Sequence, residues 1–257
     1  MSDVDALLIT PPSRLEVYQS LSGDYAAIEP PVWSMLIANY LNARGYNAQI
    51  LDAEAENFNY EETAKKILKV NPKIAVFMVY GQQPSASTQC MPGGKKTCER
   101  LNELSSSSIK TIVVGTHASA LPKKTLEEEP YDFVCQGEGP ITITHLIDHI
   151  KKNKIKLDDI PGLWFFDKDN KVKSNKRAPM FENLDKNLPG QAWKLLDMNK
   201  YKAHNWHTFN NLDSRNKYAS LQTSLGCPFK CTFCCINAPF QSNRIRFWSP
   251  KHIINQI

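Results

Sequence analysis

Lys73-Ile74-Ala75-Val76-Phe77-Met78-Val79-Tyr80 is the stretch from which the fold is read. Its apolar run, Ile74 to Val79, leaves no polar face for solvent, so a strand made of it must be covered on both sides. Strands covered in this way belong to parallel sheets whose crossover helices lie on both faces. The flanking sequence supplies the other parts. Ahead of it, Ala6-Leu7-Leu8-Ile9-Thr10 is a first apolar strand stopped by Pro11-Pro12, and Asn47 to Asp52 is a second. Val32 to Arg44 has helical periodicity and closes on Gly45, a residue suited to a left-handed C-cap. Tyr60 to Val70 is another helix, with Ala64, Ile67 and Leu68 on its buried face. Beyond the central run, a poor helix is interrupted by Pro92-Gly93-Gly94 and resumes to Leu104. Thr111 to Gly115 is a fourth strand, a short helix follows around Lys123 to Glu129, Tyr131 to Cys135 is a fifth strand, and Ile141 to Lys152 a last helix. The alternation predicts an α/β, doubly wound parallel sheet of flavodoxin-like order 2-1-3-4-5 over residues 1–153.

Ligands of such sheets sit beyond the carboxyl ends of the strands. Here those ends carry Thr10-Pro11, Tyr80-Gly81, Gly115-Thr116-His117 and Gln136-Gly137-Glu138-Gly139. After residue 153 the pattern changes. Gly162 to Val172 reads as a β-hairpin with Asp169-Asn170 in the turn. Pro179 to Asn216 is irregular, so residues 154–216 are taken as hairpin and linker and 217–257 as the start of another domain.

That last segment holds Gly226-Cys227-Pro228-Phe229-Lys230-Cys231-Thr232-Phe233-Cys234-Cys235, after a β-like run from Tyr218 to Leu225. A tight loop with Cys-x3-Cys-x2-Cys spacing can turn three thiolates toward one point, and thiolates suit zinc or an iron–sulfur cluster better than magnesium or calcium. A structural zinc site asks for four closed ligands, and adjacent cysteines such as Cys234 and Cys235 rarely share one metal comfortably. Disulfides do not fit the odd number of cysteines or the absence of a secretory segment.

The strand and its Gly-Cys-x3-Cys-x-Phe-Cys loop resemble the cluster loop of radical S-adenosylmethionine (SAM) enzymes. The resemblance implies that Cys227, Cys231 and Cys234 hold a [4Fe-4S] cluster whose open iron is chelated by S-adenosylmethionine, with Cys235 outside the set. A second resemblance covers the first domain. Val114-Gly115-Thr116-His117 through Pro122, Asp132 through Gly139, Thr10-Pro11-Pro12 and Pro30-Pro31 are similar to the cobalamin-binding domain of B12-dependent radical SAM enzymes. It implies cobalamin near Thr10, Pro11, Gly115, Thr116, His117, Gly137 and Glu138. Thr116 stands where the family commonly has glycine or proline, and no Asp-x-His-x-x-Gly segment exists to supply a lower axial histidine. The linker from Asn183 to Tyr201 also resembles that of the family, which places the two cofactors face to face.

For the complete enzyme the resemblance implies reductive cleavage of SAM, hydrogen abstraction from substrate and methyl transfer from methylcobalamin to an unactivated carbon. Oxidative cyclisation of a tetrapyrrole, as in the anaerobic magnesium-protoporphyrin IX monomethyl ester cyclases, is the alternative within the family. A non-catalytic cobalamin-binding module is a second alternative. A methylthiotransferase, with a further cluster on Cys90, Cys98 and Cys135, is disfavoured by their spacing. Implied partners are a small-molecule substrate, an electron donor such as flavodoxin or ferredoxin, and a polypeptide completing the barrel. Leu221 onward amounts to about one unit of a barrel in which each takes roughly 30 residues, so the chain is expected to be the N-terminal portion of such an enzyme.

Composition agrees with an ordinary globular protein: 42% hydrophobic and 22% charged residues. No apolar run approaches a membrane span, and the N-terminus lacks a basic leader, so a cytoplasmic, reducing location is expected. The net charge of +5 comes largely from Lys151–Lys156 and Lys168–Arg177, without interleaved aromatic residues, which argues against nucleic acid. His145 and His149 share a helix face at i, i+4 but lack an acidic co-ligand, and His204-Asn205-Trp206-His207 lacks a third ligand, so neither is read as a metal site.

Overall fold

A computed structural model describes residues 3–22, 26–80, 86–105, 109–152, 155–204 and 217–257. In it the apolar run at 74–79 lies in the middle of the parallel strands. Strand β1 (Ala6–Thr10) is followed by α1 (Arg14–Tyr18) and α2 (Val32–Asn42), then β2 (Ala48–Asp52), α3 (Ala53–Glu56), α4 (Tyr60–Val70) and β3 (Ile74–Met78). Next come α5 (Ala86–Leu104), β4 (Lys110–Val114), α6 (Thr116–Ala120), α7 (Pro122–Glu128), β5 (Phe133–Cys135) and α8 (Pro140–Lys152). The antiparallel pair β6 (Leu163–Phe166) and β7 (Val172–Ser174) completes a seven-stranded sheet of order β2-β1-β3-β4-β5-β6-β7. β1 to β5 are parallel and in the expected order; β6 joins β5 antiparallel. The predicted hairpin thus forms, and it extends the sheet beyond the five strands expected.

Alternation along each strand separates two cores, as the two-residue period of a strand requires. Ala6, Leu8, Ile74, Val76, Ile112 and Val114 face α2 and α8 on one side. Leu7, Ile9, Ala75, Phe77, Val113 and Val134 face α4 and α5 on the other. Local signals set the helix ends. Asn59 caps α4 in a reciprocal box with Glu62, and Gly45, at φ +82°, turns the chain after α2.

One expectation fails. α5 is not interrupted at Pro92-Gly93-Gly94 but runs unbroken from Ala86 to Leu104. Gly93 and Gly94 serve close packing here: a Cβ on Gly93 would stand 2.0 Å from the Pro12 carbonyl oxygen, and one on Gly94 2.6 Å from the Tyr131 hydroxyl. The helix therefore presses against the β1–α1 loop, and this packing offsets the local cost of proline and glycine. Gly81 to Ser85, part of the predicted β3 end, lie outside the described residues, as do Asn205 to His207.

The linker is irregular but ordered by specific contacts. It contains α9 (Leu184–Asn187) and packs back on the sheet: the Tyr201 hydroxyl donates to Asp52 at 3.1 Å and Asn39 donates to the Gly190 carbonyl at 2.9 Å. Beyond it, β8 (Ser224–Gly226) pairs antiparallel with β9 (Ile245–Phe247), and α10 (Pro250–Ile254) follows. Ser249 caps α10 and Pro250 takes its first position. At this end the described chain forms a two-stranded ribbon. Among the described residues, no helix is long and apolar enough to cross a membrane.

Candidate cofactor site at the sheet edge

The carboxyl ends of β1, β2 and β3 open into a cavity of about 370 Å³, in the size range of small-molecule sites. Thr10 and Asp52 form its floor, with Met78 and Tyr80 beside them. Trp33, Ser34, Arg14 and Glu54 contribute from the helical side, and Ser220, Leu221 and Gln222 reach it from the segment ahead of β8. Trp33 lies flat on Tyr80, with ring centroids 4.2 Å apart and an interplanar angle of 9°. Glu54 organises the β1–α1 loop by accepting from the Ser13 and Arg14 backbone N–H groups at 2.5 and 2.7 Å.

Two polar atoms in this cavity lack a partner. Ser34, only 1% exposed, has an unbonded Oγ, and the Thr10 Oγ1 is buried and equally unbonded. Buried hydroxyls normally find a partner, so both mark places where a ligand's polar groups fit. Asp52 is fully engaged: it accepts from the Glu54 and Ala55 N–H groups and from Tyr201. Burial pushes its carboxyl up to about 7, against the opposing pull of those hydrogen bonds.

The residues expected from sequence lie along the same sheet edge but not all around the cavity. Thr10 lines it; Pro11 is buried behind it, its ring 3.8 Å from where a Gly94 Cβ would stand. Gly115 lies so close to β3 that a Cβ would be 2.5 Å from the Val79 carbonyl oxygen. Thr116 is buried in α6. His117 bonds through Nδ1 to the Thr88 hydroxyl at 3.0 Å, and its N–H donates to Ser87 at 2.9 Å. Its imidazole is held below its usual range by burial and by Lys124. Gly137, at φ +146°, is buried, its N–H bonded to Ser119 and its carbonyl to Tyr80, with nothing within 4 Å of where a Cβ would stand. Glu138 points elsewhere, into a buried pair with Arg246. An unpartnered hydroxyl pair lining a cavity at the carboxyl ends of parallel strands fits a ligand such as cobalamin.

The cysteine loop springs from this edge. Gly226 ends β8 and Cys227 follows; Asn237 closes the loop by accepting from the Cys227 N–H and donating to the Cys227 and Phe229 carbonyls. Cys231 and Cys234 are exposed and joined by a turn, Cys234 N–H to Cys231 carbonyl at 3.1 Å. Three soft thiols on one short loop are the donor chemistry a [4Fe-4S] cluster takes. The loop does not gather them: among the described residues no three His, Cys, Asp or Glu side chains are grouped to hold a metal ion. Cys98 and Cys135 are buried and their thiols are pushed up to about 12 by burial, so they remain protonated rather than acting as thiolate ligands. The His149 Nδ1 is taken by the Ile155 carbonyl at 2.6 Å.

Residues 20–147 match the family model described as the B12 binding domain. This segment is a B12-binding domain, related to those of cobalamin-dependent radical SAM enzymes. The matched residues carry β2 to β5, and β1, which pairs with β2 and β3, lies ahead of them. The chain is 27% identical to an uncharacterised methyltransferase of Pyrococcus horikoshii, covering all of this chain and 50% of that protein. It is 25% identical to the anaerobic magnesium-protoporphyrin IX monomethyl ester cyclase of Rubrivivax gelatinosus, over 93% of this chain and 40% of that one. The chain therefore spans half or less of the length of these relatives. Its fold is shared with OxsB, a cobalamin-dependent SAM radical enzyme solved with aqua-cobalamin and SAM bound: TM-score 0.65, 18% identity, 98% of this chain and 31% of that one. It is shared too with the radical SAM methyltransferase TsrM of Kitasatospora setae, solved with cobalamin and a [4Fe-4S] cluster: TM-score 0.63, 14% identity, 100% of this chain and 45% of that one.

Asp52, Trp33 and Ser34 were not singled out as site residues from sequence, and Tyr80 was marked only as lying at a strand end. A carboxylate at the end of an apolar strand was the available signal for Asp52. Nothing in the sequence marks Trp33 or Ser34 as facing a cavity rather than the core.

Proposed function

We propose that this chain is the cofactor-binding part of a cobalamin-dependent radical SAM enzyme that transfers a methyl group to an unactivated carbon. The observation that carries it is the meeting of two parts at one edge: Ser220 to Gln222, leading into the cysteine loop, wall the same cavity as Thr10 and Asp52 at the ends of the parallel strands. In this reading Thr10, Ser34 and the Gly137 turn hold cobalamin, with Gly115 and His117 shaping the neighbouring strand end. Pro11, Thr116 and Glu138 support it from behind. Cys227, Cys231 and Cys234 hold the cluster once the loop closes around it, and β8 opens the catalytic barrel. When bound, the two cofactors supply a transferable methyl group and, with SAM, a strong hydrogen-abstracting radical. The chain's own residues position and shield them: the Trp33–Tyr80 stack closes one wall against water, and Asn237 fixes the base of the cysteine loop.

Similarity to the Rubrivivax gelatinosus cyclase favours a second reading, oxidative cyclisation of a tetrapyrrole, on the same site. An electron donor such as flavodoxin or ferredoxin would serve either reaction. Seven cysteines without a disulfide support a reducing, cytoplasmic setting.

The test is anaerobic reconstitution with iron and sulfide, with hydroxocobalamin binding followed by absorbance. Wild type should take up both cofactors. Cys227→Ala, Cys231→Ala or Cys234→Ala should lose the cluster and keep cobalamin, while Cys235→Ala keeps both. Unchanged iron and sulfide in a variant carrying Cys227→Ala, Cys231→Ala and Cys234→Ala together would remove the cluster from the reading.

A further inference from the structure

The Glu138 carboxylate and the Arg246 guanidinium are 7% and 6% exposed and meet in a bidentate pair, at 2.5 Å (Nη2 to Oε1) and 3.2 Å (Nη1 to Oε2). Each partner is fixed at its own end. The Glu138 turn is held by the Tyr80 hydroxyl, which donates to the Gly137 and Glu138 carbonyls at 3.4 and 3.2 Å, and by Ser119, whose Oγ accepts from the Gly137 N–H at 3.2 Å. That same Tyr80 is the cavity wall under Trp33. Arg246 also donates to the Phe181 carbonyl at 2.8 Å and stands 5.5 Å over the Phe240 ring. It lies in β9 opposite Leu225, two residues before Cys227.

Stability alone does not account for this pair. Taking two charges out of water is costly, and apolar side chains filling the same space commonly serve as well. What a planar guanidinium–carboxylate fork adds is direction, because it accepts one relative orientation of the two backbones. The ribbon's contacts through Arg244, Trp248 and Ser249 run to Glu182, Leu188 and Asp185 of the linker. Arg246 instead reaches the turn that follows a parallel strand of the B12-binding domain.

We propose that Glu138 and Arg246 are positioning residues that set where the cysteine loop stands relative to the ligand held at the sheet edge. The inference rests on the cofactor reading above, and its test separates the two. Full-length Glu138→Gln, Arg246→Lys and the exchanged pair Glu138→Arg with Arg246→Glu are loaded with cluster and with hydroxocobalamin reduced to cob(II)alamin. Cobalamin, iron and sulfide contents are measured first, then the magnetic relaxation of cob(II)alamin caused by the reduced cluster.

The single variants should keep both cofactors and lose most of the relaxation enhancement, and the exchanged pair should recover part of it. Retained cofactors with unchanged relaxation in both single variants would overturn the positioning role while leaving the cofactor reading intact. Failure of wild type to take up either cofactor would overturn the cofactor reading and, with it, this role for the pair. Hydrogen exchange on the unloaded protein then asks separately whether the link exists. The amides of 224–226 and 245–247 should exchange about tenfold faster in Glu138→Gln, with those of 74–78 unchanged; equal rates in the ribbon would deny the tether itself. Should Glu138→Gln fail to fold, Arg246→Lys, which keeps the charge and loses the fork, carries both measurements.

Discussion

Glu138 and Arg246, separated by 108 residues in sequence, share one of the most completely buried ion pairs in the described structure, at the junction of the B12-binding domain and the β8–β9 ribbon. Burial raises the Glu138 carboxyl against the pull of Arg246, so the charge on Glu138 depends on the guanidinium beside it. Glu138→Ala strands a guanidinium in the interior and should cost about 3–5 kcal/mol in urea unfolding. The double variant Glu138→Leu with Arg246→Met should cost much less, since no charge is then left unpaired. Equal losses in the single and double variants would contradict this account.

Thr10 and Ser34 give the cavity its two unbonded hydroxyls. Thr10→Val and Ser34→Ala remove a buried polar atom that has no partner, so stability should hold or rise slightly. Hydroxocobalamin affinity should fall by about tenfold for each hydroxyl that bonds the ligand, the worth of roughly one hydrogen bond. Titration of both variants against wild type reads this directly, and unaltered affinity in both would move the ligand away from β1 and α2.

Asp52 introduces a pH dependence. Its folded pKa, about 7, lies above the ordinary carboxylate value, so the folded chain holds this proton more tightly than the unfolded chain does. Its contribution is therefore fully present below pH ~4 and is lost as pH rises toward about 7. Asp52→Asn keeps a capping oxygen for Glu54 and Ala55 and removes the titration. Its stability relative to wild type should climb between pH ~4 and ~7 and level off above, as followed by denaturant midpoints in that range. A constant difference across this window would mean that Asp52 is ionised throughout.

Asn237 is the clasp of the cysteine loop, bonded to Cys227, Phe229 and Asn243. Asn237→Ala should leave the sheet and cobalamin binding intact, because among the described residues its side-chain hydrogen bonds run to Cys227, Phe229 and Asn243. Iron and sulfide retained after anaerobic desalting should drop several-fold, since the loop must then be ordered by the cluster alone. Retention equal to wild type would show that the loop needs no such clasp.

The parallel sheet was legible from the chain because continuous apolar runs such as Ile74 to Val79 admit few placements except a strand covered on both faces. Strand order followed from the same runs once alternating helices were counted, and the end of α2 followed from Gly45, whose signal is local. The cysteine spacing, too, is local and needs no fold to be read. Tertiary structure decided what depends on residues far apart in sequence. It made α5 continuous through Pro92, because Gly93 and Gly94 gain from approaching Pro12 and Tyr131 more than the helix loses locally. It turned Glu138 away from the cavity to Arg246, brought Tyr201 onto Asp52, and left Thr10 and Ser34 with unbonded hydroxyls. The Glu138 and Tyr201 contacts answer the demand that buried polar groups find partners, and the other outcomes follow from close packing, conditions that exist only once distant segments have met.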